Sequence, residues 1–389
     1  MSLFQNLDFI QLSLLLIIAS FSIPIARKAS LVEIPILIGL GLLFGPVLGV
    51  IKHSYATYLV NDFAGFGVGI LGLVIILYYE SHNINFRVLR KFIKGIISLN
   101  TVGMLVTAVV ADNYSGTLVG ESLFNDPLAI IMVTLAISLI YSGSSYSALF
   151  NSVTAFVGFY PAIPSFLIIQ IIVPSSFGIV IGFGIIYLNK LLNFENLIVG
   201  LLLGVILFEL TILEGFGVTP FPAIIATGAI VGNFSDRSIF WSREANFQEN
   251  LSFLAQGLIF ILVGSIMTIK DFENYFFQGL LLTVLVMFVV RPAAVFTSLP
   301  PVRKKNRNAL NGWRTNLFIA LSGPRGVVSV VESSVPYAIG LASGNALLLT
   351  WGPIIEINVT FIVLLSILFQ TVYIPTVAGK LLPEIPDQA

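Results

Sequence analysis

About twelve continuous apolar runs, most of them near 20 residues long, follow one another along this chain and limit its fold more than any motif does. A helix needs roughly 20 apolar residues to cross about 30 Å of hydrocarbon. Only helices and closed barrels can satisfy their backbone polar groups there. The runs are continuous rather than alternating, which excludes barrel strands. Composition agrees, at 57% hydrophobic and 10% charged residues, where soluble domains carry about 25% charged. The expected fold class is an all-α polytopic membrane protein, one domain over 1–389, with the lipid bilayer as its solvent.

Hydropathy places spans near 8–26, 31–51, 63–80, 93–111, 117–142, 166–189, 195–213, 219–233, 248–268, 275–299, 314–342 and 353–381. Residues 143–165 read either as an interfacial segment or as a further crossing, and 234–247 as an interfacial helix of mixed aromatic and charged residues. Asp8 precedes the first run and Arg27-Lys28 follow it. That order is the reverse of a signal peptide, so a first spanning helix with its N-terminus outside is expected. The formal net charge of zero gives no support for a nucleic-acid partner. There are no cysteines for disulfides or thiolate chemistry. The two histidines, His53 and His82, fall in short polar connections, which argues against histidine catalysis within the membrane.

Two segments repeat. PILIGLGLLFGP at 35–46 and PAIIATGAIVGN at 222–233 share a proline, small residues and a late glycine. Each precedes a polar start and a long apolar span, NDFAGFGVGILGLVIILYY and ENLSFLAQGLIFILVGSIM, and then another span. Transporters are often two inverted copies of one helical unit. The expected division is a first repeat over 31–142, a connecting segment and helix over 143–194, and a second repeat over 195–381. The second copy has a helix at 314–342 with no counterpart after residue 111, so the first copy reads as one helix short. Loop charge agrees. The basic connections 81–94 and 300–314 should both be cytoplasmic, yet seven spans separate them. One more crossing, either after Ala111 or at 146–165, restores agreement and makes the repeats inverted.

A charge at the bilayer centre costs roughly 2.5–3.5 kcal/mol on insertion scales and marks function by default. Glu121, Asp126, Glu209, Arg291 and Arg325 qualify by depth. In GESLFNDPLAI, Ser122 and Asp126 share one helix face, and Glu121 and Asn125 define the neighbouring one. Pro127 leaves the Leu123 carbonyl without its helical donor. The result is an oxygen-rich pocket suited to a hard cation, though an Asp–Asn pair can also serve as interhelical glue. In LSGPRGVVSVVESS, Gly-Pro-Arg-Gly interrupts a helix as in discontinuous transporter helices. Arg325 needs a buried partner, for which Glu121 is the natural candidate and Asn125 a further acceptor. Glu332, two turns on, lines the same side. Arg291, before Pro292, suits either snorkelling or buried pairing. Glu209 either pairs with an arginine or stays protonated. Ser122 has no histidine in reach to activate it, so an intramembrane enzyme is disfavoured.

Glu-Ser-Leu-Phe-Asn-Asp-Pro at 121–127 and Gly-Pro-Arg-Gly-Val-Val at 323–328 together resemble the NhaP-type sodium/proton antiporters, relatives of the eukaryotic sodium/hydrogen exchangers. The resemblance implies a thirteen-helix inverted-repeat fold, a homodimer and residence in the cell membrane. It implies that Asp126 alternately binds Na⁺ and H⁺, with Asn125 beside it. Ser122 would be a direct Na⁺ ligand, and Glu121 would act through water while pairing with Arg325. Arg291 matches an arginine-proline position of the family. No cofactor is implied beyond the transported Na⁺ and H⁺. Members also carry a Thr-Asp-Pro motif just before the Asn-Asp helix; this sequence has none, and the helix that would hold it is the one found missing above. Exchange of a monovalent cation for H⁺ is the expected function, electroneutral because Asn rather than Asp stands at 125. The alternative is a scaffold or regulatory membrane protein that does not transport.

Overall fold

A computed structural model describes residues 3–28, 33–61, 67–84, 86, 114–192, 197–235, 239–298, 317–318, 320–321 and 326–381; over 3–9, 23, 25–28, 114–126, 239–243, 294, 297–298, 375 and 378–381 it describes the backbone alone. Every regular element among the described residues is helical. In chain order these are α1 (Leu3–Lys28), α2 (Glu33–Leu42), α3 (His53–Asn61), α4 (Gly67–His82), α5 (Tyr114–Ile140), α6 (Ser145–Val157) and α7 (Phe159–Leu192). Then come α8 (Ile198–Gly215), α9 (Phe221–Phe234), α10 (Ile239–Ile266), α11 (Ile269–Leu285), α12 (Arg291–Ser298), α13 (Val327–Ser343) and α14 (Ala346–Leu381). Among the described residues, five helical stretches are long and apolar enough to cross a membrane. Ile172 and Val180 of α7 and Phe277 and Leu281 of α11 are exposed, as lipid-facing residues should be.

The expected spans and the helices differ in four places. Residues 234–247 are not a separate interfacial helix, because α10 runs unbroken from Ile239. No proline or glycine interrupts it before Gly257, and Glu244, Gln248 and Ser252, four residues apart, turn their polar groups inward. Residues 145–157 form α6, bent by 78° from the end of α5 rather than continuing it. At thirteen residues it is too short to cross alone. His53 opens α3 and His82 closes α4, so both belong to helices rather than to connections. Pro46 lies inside a π turn, Leu43–Val47 after α2, and Pro292 closely follows one, Val286–Val290 before α12. Such a turn absorbs the missing donor. The span at 93–111 lies outside the described residues.

Glycines set the closest helix contacts. A Cβ on Gly41 would collide with the Ile261 carbonyl, and one on Gly45 would lie 2.7 Å from the Ser265 Cα. A Cβ on Gly228 would lie 2.8 Å from the Tyr78 carbonyl, and one on Gly232 would collide with the His82 carbonyl. Thus α2 grips α10 as α9 grips α4. Gly228 and Gly232 are each 187 residues beyond Gly41 and Gly45, and the contacted Ile261 and Ser265 are each 183 beyond Tyr78 and His82. Two constant displacements are what a two-fold relation between the copies requires. The second displacement, 183 residues, is five fewer than the 188 between NDFAG and ENLSF.

A buried glutamine fixes the entry to α9. Gln170 of α7 donates to the Gly217 carbonyl at 2.8 Å and accepts from the Thr219 N–H at 2.6 Å. Gly217, at φ 72°, supplies the left-handed turn. Gln170→Leu leaves both backbone groups unpaired, each at a cost of about 1–3 kcal/mol. A clear fall in the thermal unfolding midpoint in detergent is expected.

Candidate functional site: a polar cavity beside α5

A cavity of about 520 Å³ opens between α3, α5, α8 and α13. Its α5 wall is Ile130, Val133, Thr134 and Ile137, spaced at three and four residues, one stripe of the helix. Thr134 returns its hydroxyl to the Ile130 carbonyl at 2.9 Å, so it adds little free polarity. The acids are Glu214 of α8 and Glu332 of α13, and the Tyr146 phenol of α6 lies within electrostatic reach of both. Asn61, at the end of α3, has both amide atoms buried without a hydrogen-bond partner among the described residues. Such a group is costly unless something polar meets it. Two carboxyls, an amide, a phenol and a hydroxyl are oxygen-rich and without sulfur, the donor set a hard cation takes.

The helix opposite begins abruptly. Gly326 is extended (φ −88°, ψ 176°) and α13 starts at Val327 with no side-chain cap. The Leu321 carbonyl accepts from the Tyr373 hydroxyl of α14 at 2.6 Å. The interruption expected from Gly-Pro-Arg-Gly thus coincides with a helix start after Gly326.

Of the residues singled out in the sequence, Glu332 lines the cavity, and Arg291 is half-buried where α12 begins. Glu121, Ser122, Asn125 and Asp126 lie on the described helix α5, but their side chains lie outside the described residues, as does the whole of Arg325. Glu209 is not at the cavity. It is fully buried between α8 and α9, with Thr227 Oγ1 2.5 Å from its Oε1 and 3.0 Å from the Gly178 carbonyl. Its described partner is a hydroxyl and not an arginine. The one Thr227 hydroxyl hydrogen lies within reach of both acceptors, and Glu209 Oε2 has no hydrogen-bond partner among the described residues. Glu209→Gln should leave thermal stability nearly unchanged. Thr227→Val should cost on the order of 0.6–1.7 kcal/mol, the range for interhelical hydrogen bonds in membranes. Equal losses in the two variants would contradict this reading. Asn61, Tyr146 and Glu214 were missed in the sequence. Glu214 sits near a helix end, where hydropathy reads a carboxylate as interfacial.

Helices close-packed through glycines around a largely apolar cavity that carries two carboxyls, with a helix start at Gly326, fit a carrier of the secondary-transporter class. Residues 110–380 match the family model described as sodium/hydrogen exchanger, transmembrane, and the chain belongs to that family. Na(+)/H(+) antiporter 1 of Methanocaldococcus jannaschii is 26% identical over 372 residues, covering 82% of this chain and 80% of that protein. K(+)/H(+) antiporter NhaP2 of Shewanella oneidensis is 26% identical over 292 residues, covering 71% of this chain and 44% of that one. The solved structure of the sodium proton antiporter MjNhaP1 from M. jannaschii at pH 8 superposes with a TM-score of 0.78 at 23% identity, over 98% of this chain and 100% of that one. The fold is therefore that of an antiporter.

Proposed function

We propose that the chain exchanges Na⁺, or a similar monovalent cation, for H⁺ across the cell membrane, with Asp126 as the carboxylate for which cation and proton compete. The observation that carries this reading is the α5 stripe on the cavity wall. Ile130, Thr134 and Ile137 face the cavity, and one helical turn before Ile130 the same register reaches Asp126, then Ser122. Ser122 is proposed as the second cation ligand, Asn125 as its neighbour, and Glu121 as the partner of Arg325. Relatives named for both Na⁺ and K⁺ support a monovalent cation as the class.

A single exchangeable carboxylate swaps one H⁺ for one monovalent cation, so the exchange is electroneutral. The reciprocal glycine contacts support two inverted copies over 31–142 and 195–381, rocking about the cavity. A homodimer is part of the same proposal. A scaffold that does not transport is the reading that family and relatives disfavour. The deciding experiment is a sodium jump across proteoliposomes holding the purified chain. An interior pH change that follows the Na⁺ gradient supports exchange, and none at any pH or cation eliminates it.

A further inference from the structure

The first copy ends in α5 and the second in α14, and the two helices share a short pattern. Pro-Leu-Ala-Ile-Ile-Met-Val-Thr at 127–134 and Pro-Ile-Ile-Glu-Ile-Asn-Val-Thr at 353–360 agree at proline, isoleucine, valine and threonine in the same places. Each threonine returns its hydroxyl one turn back, Thr134 to the Ile130 carbonyl at 2.9 Å and Thr360 to the Glu356 carbonyl at 2.8 Å. The displacement is 226 residues, 43 more than the 183 that joins α4 to α10. That excess is room for the helix at 314–342, which the second copy carries and the first lacks. In this register Ile130, Thr134 and Ile137 of the cavity stripe have Glu356, Thr360 and Val363 as their mates.

The copies hold these mates differently. In the first, a cavity stands between α5 and the start of α9 at Pro220 and Phe221. Under the 187-residue displacement, the mates of Pro220 and Phe221 are Glu33 and Ile34 at the start of α2. There the space is filled: α14 packs on α2, and Ile34 and Val363 belong to one continuous core. Glu356 is 5% exposed, Thr360 1% and Val363 0%. Packing does not account for the carboxyl. Its mate Ile130 serves the same stripe without a charge, and ionisable groups at membrane depth are costly. Glu356 Oε1 and Asn358 Oδ1 are buried with no hydrogen-bond partner among the described residues, which destabilises unless something polar meets them.

We propose that α14 lines a second cavity, the two-fold mate of the first, that opens toward the cytoplasm in the carrier's other state, and that Glu356 binds the cation there on its way to Asp126. Charge assigns the sides. Arg27 and Lys28 precede α2, which puts the start of α2 in the cytoplasm. The first cavity includes Ile70, at the end of α4 remote from Arg87, Arg90, Lys91 and Lys94, and so faces outward. When two inverted copies exchange their unlike conformations, the opening moves from one face to the other. The exchange is not symmetric in chemistry, because the outer stripe carries Ile130 where the inner one carries a carboxyl. The passage of the cation to Asp126 rests on the exchange reading above; the second cavity does not.

The chain has no cysteine, so a single introduced thiol reports its own accessibility. Ile130→Cys and Val363→Cys are treated with a charged, membrane-impermeant methanethiosulfonate in right-side-out and inside-out vesicles. Ile130→Cys should react from the outer face, and Val363→Cys from the cytoplasmic face although Val363 is fully buried in the state described. Val363→Cys that reacts from neither face, or from the outer one, overturns the second cavity. In proteoliposomes, Glu356→Gln should raise the cation KM measured at the cytoplasmic face severalfold and leave the outer-face KM in place, with Glu356→Asp nearer the parent. No shift, or an equal shift on both faces, overturns the role of Glu356. If Glu356→Gln fails to fold, Glu356→Asp decides the residue by the same comparison, and Val363→Cys still decides the cavity. Thiol modification needs no ion exchange, so a chain that fails to exchange leaves that result standing or falling by itself.

Discussion

Asp126→Asn should abolish cation-driven proton movement in proteoliposomes while leaving the protein folded. Asparagine keeps the size and an acceptor oxygen, but it holds neither a negative charge for the cation nor a titratable proton. Residual exchange is expected at the background of empty vesicles, a loss of at least two orders of magnitude, because the carrier then has no occupied form to cross with. Helix α5 should tolerate the change, since its apolar length and Pro127 are untouched. Ser122→Ala belongs to the same experiment and should raise the apparent cation KM with a smaller effect on maximal rate, as loss of one neutral ligand should. Wild-type exchange by Asp126→Asn would move the chemistry to another group, Glu332 and Glu214 being the described acids on the cavity wall.

Gly41→Val and Gly232→Val should be the most damaging substitutions outside the site. Each places branched carbon where a backbone carbonyl stands, that of Ile261 in the first and that of His82 in the second. Backbone cannot swing aside as a side chain can, so helices must separate. Overpacking of this kind costs about 1–3 kcal/mol and often more, and separation also forfeits the Ser265 hydroxyl contact to the Gly41 carbonyl at 3.2 Å. Gly39 is the control. A Cβ there meets nothing within 4 Å, and alanine is the better helix former by about 0.8–1 kcal/mol. Gly39→Ala should therefore be neutral or stabilising in a detergent thermal-unfolding assay, while both valine variants lose folded, monodisperse protein. If the two valine variants unfold like wild type, the interlock of α2 with α10 and of α9 with α4 is wrong.

These two predictions also mark what could be read before the structure and what could not. Span positions were legible because burial in lipid demands length and apolarity, and α8, α9 and α14 lie within a few residues of the runs at 195–213, 219–233 and 353–381, apart from an earlier start of α14 at Ala346. The glycine repeat was visible with its register, 35–46 onto 222–233, but that of the helices it packs against was not. Only the contacts reveal that Gly232 meets His82 where Gly45 meets Ser265. Helix α3 was missed because HSYATYLVN mixes polar and apolar residues over nine positions, below the length at which a period stands out. Glu244 was misplaced for a different reason. Charges at 236, 237, 243 and 244 read as an interface by composition, and only tertiary burial against Tyr78 and His82 shows that the helix carries one of them inward. Glu209 and Glu214 differ by five residues on one helix, and hydropathy ranks the deeper one first. Geometry gives Glu209 to Thr227 and Glu214 to the cavity.

The central claim, that cation and proton compete for one carboxylate on α5, is tested most directly by counting protons released as Na⁺ binds. Calorimetric Na⁺ titrations of the purified chain, run in buffers of different ionisation enthalpy, give that count. Near the pH of half-maximal exchange the release should be a substantial fraction of one proton per Na⁺ bound, falling toward zero as pH rises and the site empties of protons. Asp126→Asn should remove both the binding heat and the release. Na⁺ binding with no proton release at any pH, or release that survives in Asp126→Asn, would contradict the account.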